Sequence, residues 1–162
     1  MTLEALLQQG RACLRDAGVP DEELDAWLLM EYCFDLPRSR YYLCCRDEAE
    51  EQKTRNYLRL IGQRSERIPL QHLTHQAWFM GKEYYVDGRV LVPRQDTEIL
   101  AEAAGTFLRP GMKILDLCTG SGCLLLSLLL MQESCSGIGG DLSEYALCVA
   151  ARNRENLGLA PE

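Results

Sequence analysis

Several things are missing from this sequence, and each absence narrows the field. No apolar run reaches the roughly 18 residues that suggest a membrane span. The longest, over residues 124–131, is broken by Ser127. No basic segment leads into an apolar stretch after Met1, so a secretory signal is not expected. None of the eight cysteines falls in a Cys-x-x-Cys pair, and Cys44 and Cys45 are adjacent, which suits neither a zinc knuckle nor an ordinary disulfide. Without a secretory signal, free thiols in a reducing cytoplasm are expected, acting as small buried hydrophobes rather than metal ligands. The two histidines, His72 and His75, have no acid-and-nucleophile set near them and read as structural or surface residues. Basic residues are not in excess. The net charge is −7 and is spread over both halves, so a broad nucleic-acid-binding surface is not expected. No internal repeat stands out.

What is present reads as an ordinary globular chain, 47% hydrophobic and 25% charged. The first third is helical in pattern. Leu3, Leu6, Leu7 and Leu14 recur at helical spacing, and Gly18-Val19-Pro20 stops that run. A second helix is expected from Asp21, with an acidic first turn that suits the positive end of a helix dipole. Leu24, Trp27, Leu28 and Cys33 would be its apolar stripe, and Pro37 its end. A short piece over 39–45 precedes a third long helix over 47–67. Leu58 and Ile61 are its expected buried positions, with Tyr57 and Leu60 beside them. Residues 1–67 thus form a small helical domain.

The pattern changes at Ile68-Pro69. Strands are expected over 77–80 and 83–86, with Gly81-Lys82 between them and a turn at Asp87-Gly88. A further strand is expected over 89–92, closed by Pro93. Residues 68–94 therefore read as a hairpin connector. A helix follows over 96–108, stopped by Pro110-Gly111. From Met112 the order becomes strand (112–117), glycine turn, apolar helix (123–131), strand (137–141) and helix (143–156). Ala146, Leu147, Val149 and Ala150 are the apolar positions of that last helix. This is the first β-α-β-α part of a doubly wound domain, assigned to residues 95–162. Trp27 and Trp78 are expected in cores. The pairs Tyr41-Tyr42 and Tyr84-Tyr85 suit half-buried sites or a partner-facing surface.

The chemistry is expected at Asp116-Leu117-Cys118-Thr119-Gly120-Ser121-Gly122, which leaves a strand and opens a helix. Glycines allow a tight turn and close backbone approach by a ligand, and the helix behind offers unpaired N–H groups. Asp141, at the end of the next strand, can accept both hydroxyl hydrogens of a ribose. Its alternative role is to cap the following helix, which Ser143 could do as well. The nicotinamide-dinucleotide fingerprint needs a third glycine where Leu125 stands, and no Gly-Lys-Ser/Thr follows as a P-loop requires.

On these residues the chain resembles the protein-(glutamine-N5) methyltransferases that modify bacterial peptide-chain release factors. The pieces that carry the resemblance are Pro69-Leu-Gln-His-Leu73, Pro93-Arg94-Gln95-Asp96-Thr97-Glu98, the turn from Asp116 to Cys123, and Asp141-Leu-Ser with Ala146, Leu147 and Asn153 behind it. The likeness runs along the whole chain. It implies an α/β protein: a helical bundle, a β-hairpin, and part of a Rossmann-like class I methyltransferase domain.

It also implies S-adenosylmethionine as cofactor, with Cys118, Thr119, Gly120, Ser121 and Gly122 around its methionine part and Asp141 on its ribose. Arg94 and Thr97 would lie close by. For Arg94 the competing expectation is an ion pair with Asp96 or Glu98. The implied partner is a release factor, recognised through the helical domain and methylated on the glutamine of its Gly-Gly-Gln motif.

Two departures stand out. Cys118 replaces a usual glycine, so it must avoid a positive φ or accept strain, and Gln95 replaces a common proline. The family's catalytic Asn-Pro-Pro-Tyr is absent, because Asn56, Asn153 and Asn156 each precede a residue other than proline. No catalytic residue is therefore assigned. The expectation is a chain truncated before that motif, inactive by itself, with residues 112–162 loosely held or self-associating through exposed sheet edges. The competing expectations are a non-catalytic protein-binding module and a nucleic-acid methyltransferase.

Overall fold

The computed structural model describes residues 1–132 and 134–160 and divides into two units, 1–74 and 75 onward. The first unit is all helix: α1 (Leu3–Asp16), α2 (Glu22–Phe34), α3 (Arg38–Cys44), α4 (Glu51–Ser65) and α5 (Leu70–Thr74). Thr2 starts α1 by accepting a 3.2 Å hydrogen bond from the Ala5 N–H. Asp35, in the left-handed region at φ 51°, ends α2 before Pro37 is reached.

The core of this unit gathers Leu3, Leu6, Leu7 and Leu14 from α1, Ala26, Trp27, Leu29 and Met30 from α2, and Tyr57, Leu60 and Ile61 from α4. Several expected positions move. Leu24 is 52% exposed, so the α2 stripe runs one residue later, through Asp25, Ala26, Leu29 and Met30. Leu58 is half-buried while Tyr57 and Leu60 are buried, which turns the inner face of α4. The start of α4 shifts from residue 47 to Glu51 because the preceding segment pairs with the N-terminus. Glu48 bridges Thr2, and the Ala49 N–H donates to the Met1 carbonyl at 2.9 Å.

Buried Asp25 meets Arg64, whose Nε donates at 2.6 Å, and the same guanidinium donates from Nη1 to the Ile68 carbonyl at 3.2 Å. Helix α5 was not foreseen. Its Leu73 joins the helical core, which is why the unit extends to Thr74.

The second unit contains β1 (Ala77–Phe79), β2 (Lys82–Tyr84), α6 (Gln95–Gly105), β3 (Lys113–Leu117), α7 (Cys123–Met131), β4 (Ser136–Gly140) and α8 (Glu144–Asn156). Strands β1 and β2 pair antiparallel with Phe79 opposite Lys82, so the two-residue turn is Met80-Gly81, not Gly81-Lys82. Both turn residues have positive φ, 50° and 69°, as the twist of a tight hairpin requires. The Met80 N–H donates to Glu98 Oε1 at 2.6 Å.

Ala77 and Phe79 point inward, and the alternation leaves Trp78 69% exposed rather than in the core. The strand expected over 89–92 does not form. Asp87 accepts from the Arg89 backbone N–H at 3.0 Å and from its guanidinium, and this local closure bends the chain. The Arg89 guanidinium and these hydrogen bonds hold the Asp87 carboxyl well below the usual range.

One face of the hairpin region packs Ala77, Val86 and Val90 on Ala146 and Val149 of α8. The other packs Phe79 and Tyr84 on Ala101 of α6 and Leu126 of α7. Tyr84 Oη lies 2.6 Å from Ser127 Oγ, and burial pushes the Tyr84 phenol up to about 12.

Strands β3 and β4 are parallel, in register from Lys113 opposite Ser136 to Leu117 opposite Gly140, and α7 forms the crossover between them. Two adjacent parallel strands joined by a helix and followed by another are the opening of a doubly wound α/β fold. A Cβ on Gly137 would lie 2.6 Å from Leu125 Cδ1, so the end of the Leu125 side chain on α7 would have to shift to admit one.

Candidate functional site

The site is built where β3 and β4 end side by side. At that end the chain turns from β3 into α7 through residues 118–122, and from β4 into α8 through Asp141, Leu142 and Ser143. The first turn alternates handedness: Cys118 at φ 63°, Gly120 at 56° and Gly122 at 79° lie in the left-handed region. Cys118 therefore accepts the strain that the sequence raised as one of two outcomes. Gly122 caps α7.

The turn is held from beneath and from the side. Thr119 Oγ1 donates to Asp116 Oδ2 at 2.7 Å, and the Thr119 N–H donates to the Gly140 carbonyl at 3.0 Å. Gly139 leaves room for Thr119: a Cβ there would meet Thr119 Oγ1 at 3.0 Å, and Thr119 would have to give way.

Asp141 joins the two turns. One carboxylate oxygen accepts from the Ser143 N–H at 3.0 Å, and the other accepts from the Gly120 N–H at 2.9 Å. These two backbone donors, Ser143 first, hold its carboxyl below the usual carboxylate range, so it is ionised at neutral pH. Each oxygen keeps a second lone pair for a further donor. The side-chain cap of α8 is Ser143, whose Oγ accepts from the Ala146 N–H at 3.2 Å.

The outer side of the turn is open. Cys118 is exposed, and nothing lies within 4 Å of where a Cβ on Gly120 would sit. An exposed, strained backbone turn beside an ionised carboxylate is a site that can take a polar ligand carrying a hydroxyl pair. A separate cavity of about 630 Å³ between α7, α8 and β4 is lined largely by leucine and alanine side chains, including Leu125, Leu129 and Leu147. It touches the turn through Thr119 and Gly122, and Arg154 is the charged side chain in its lining.

Of the residues singled out from the sequence, Cys118, Thr119, Gly120, Ser121, Gly122 and Asp141 come together. Arg94 and Thr97 lie at the start of α6, where the Thr97 N–H donates to the Arg94 carbonyl at 3.0 Å. Among the described residues no hydrogen bond joins either of them to the turn or to Asp141. Arg94 makes no ion pair with Asp96 or Glu98 among those residues; Glu98 holds the hairpin turn instead.

Two residues had no assigned part in the sequence reading. Asp116 supports Thr119. Asn153 of α8, 1% exposed, spans from Ser121 to Tyr85. Asn153 sits in a motif quoted above, yet its partners are too far along the chain for any local pattern to reveal.

A pair of parallel strands with a glycine turn after the first and an acid after the second is the opening of a Rossmann-like domain, here preceded in the chain by a helical unit and a hairpin. The comparisons say what the chain is similar to. Residues 5–74 match the family described as PrmC N-terminal domain. The chain is 38% identical over 161 residues to the release factor glutamine methyltransferase of Deinococcus radiodurans, covering 98% of this chain and 58% of that protein. It is 35% identical over 162 residues to the protein of the same name from Moorella thermoacetica, covering 99% and 57%. The resemblance read from the sequence is borne out: the chain is similar to the release factor glutamine methyltransferases and spans a little over half their length. A solved type I restriction-modification methyltransferase subunit from Streptococcus thermophilus aligns over 96% of this chain and 36% of its own. Its 16% identity and TM-score of 0.41 are too slight to bear on the fold.

Proposed function

We propose that the paired turns bind S-adenosylmethionine for methylation of a release-factor glutamine on its side-chain amide nitrogen. The observation that carries this reading is the Asp141 carboxylate, hydrogen-bonded to the Gly120 N–H beside the open turn. The backbone of Cys118, Thr119, Gly120, Ser121 and Gly122 receives the methionine end of the cofactor. Asp141 takes the ribose hydroxyls on its free lone pairs. Arg94 and Thr97, at the start of α6, border the pocket. The helical unit, matched to the PrmC N-terminal domain, meets the protein substrate.

When bound, the cofactor supplies an electrophilic methyl group on a positively charged sulfur. The acceptor is the difficulty: an amide nitrogen is a poor nucleophile because its lone pair is delocalised into the carbonyl. Its alignment with the methyl group must then carry much of the rate. These 162 residues hold no Asn-Pro-Pro-Tyr to clamp such an amide. By themselves they bind cofactor without transferring methyl groups, in a cytoplasmic setting. Methylation of a release factor by these residues alone would overturn the second half of this reading.

The first half is tested by calorimetric titration with S-adenosylmethionine and S-adenosylhomocysteine, alongside Asp141→Ala. The expected result is binding that is lost in the variant. Equal binding by the variant removes the ribose role of Asp141.

A further inference from the structure

We infer that Asn153 is a positioning residue for the cofactor turn, an inference that rests on the cofactor reading above. Its side chain makes three hydrogen bonds, all to backbone. Oδ1 accepts from the Tyr85 N–H at 2.7 Å, and Nδ2 donates to the Tyr85 carbonyl at 2.9 Å and to the Ser121 carbonyl at 2.8 Å. The amide is 1% exposed, so water cannot replace these bonds.

One end of this bridge is the chain just beyond β2, where the Arg152 guanidinium also lies 3.5 Å from the Tyr85 ring centroid. The other end is the middle of the strained turn. Asp141 grips the same turn one residue earlier, at the Gly120 N–H. The turn is therefore clamped at two successive residues from opposite polarities, an acceptor on its N–H and a donor on its carbonyl. A backbone with three positive φ angles in five residues has cheaper conformations available. The two side chains exclude them and hold the turn in one shape before the ligand arrives.

A purely structural role is separated from this one by a control on the same helix. Val149 is fully buried in a cluster with Ala77, Val86 and Val90 that includes no residue of the turn. The probe is S-adenosylhomocysteine, titrated into the 162-residue chain at a temperature where circular dichroism shows each variant folded. Amide hydrogen exchange at Gly120, Ser121 and Gly122 is followed in parallel.

Asn153→Leu is expected to weaken binding about tenfold, the scale of one buried hydrogen bond, and to speed exchange at the three amides. Val149→Ala is expected to change affinity less than about twofold, as suits a residue with no tie to the site. Should Asn153→Leu not fold, Asn153→Asp keeps the acceptor for Tyr85, removes both donors, and is expected to show the same loss. Unchanged affinity in the Asn153 variants, or an equal loss in Val149→Ala, overturns the positioning role alone. A wild-type chain that does not bind the probe overturns the cofactor reading and this role with it.

Discussion

The two units treat their leucines in opposite ways. In the helical unit Leu6 and Leu14 are completely buried, and every face turned inward meets another helix. In the second unit the β3–β4 sheet is covered by α7 on one side. On the other, Leu115, Leu117 and Ile138 are 65%, 71% and 71% exposed. The amino acids are similar; the difference is the number of layers. A helix needs one partner for its stripe, whereas a parallel sheet needs cover on both faces. The first unit has its stability in its core. The second concentrates its order at the strand ends, where polar groups cross-link the turns.

Truncating one leucine in each unit gives the sharpest test of this contrast. Leu6→Ala should cost about 3 kcal/mol by emptying a close-packed site, whereas Leu115→Ala should cost less than about 0.5 kcal/mol. Chemical denaturation followed by tryptophan fluorescence reads the first, since Trp27 is buried in the helical unit and Trp78 is exposed in the other. Equal losses would end the comparison.

A smaller effect, opposite in sign to helix propensity, is expected at Gly10. Alanine is the better helix former by about 1 kcal/mol. A Cβ there, however, collides with the buried hydroxyl of Tyr57, which donates to the Ala26 carbonyl at 3.2 Å. Gly10→Ala should therefore destabilise the helical unit by about 1 kcal/mol net of that gain, because overpacking costs more. A rise in melting temperature would show that α1 and α4 adjust freely.

In the second unit Cys118 holds a positive φ within the turn over 118–122, so relief should appear there. Cys118→Gly should stabilise it by about 1 kcal/mol, the cost of holding a non-glycine residue at positive φ, read by hydrogen exchange of β3 and α7. No gain would mean that the side chain offsets its own strain.

The least effect at neutral pH comes from Tyr84. Its phenol is raised to about 12 from an ordinary 10 by burial. The unfolded chain then loses its proton first, so stability is intact below about pH 10 and falls as pH rises toward 12. Tyr84→Phe should flatten that part of the second unit's alkaline titration. An unchanged profile would assign the loss to other groups.

Local pattern carried the sequence reading as far as local pattern decides structure. The leucine spacing of α1 and the apolar run of α7 were legible because each element's own face sets its burial. The glycine turn and Asp141 were legible because a strand-turn-helix alternation brings parallel strand ends together. What escaped depends on distant partners. The segment before α4 looks helical but pairs with the N-terminus, and Asp25 looks like a surface acid until Arg64 reaches it from α4. Asn153 reads as one more polar residue on an outer helix face until Ser121 and Tyr85 are seen on either side of it.

The bridge from Asp141 to Gly120 has one more effect, on how the two strands find their alignment. Strand β4 contains Gly137, Gly139 and Gly140, so it has few side chains with which to choose a partner position on β3. Strands so poor in side chains are prone to slip. A slip by one residue would carry Asp141 about 3.3 Å along the strand, out of reach of the Gly120 N–H. The carboxylate that stands beside the open turn therefore also works as a key that fits the sheet at one setting.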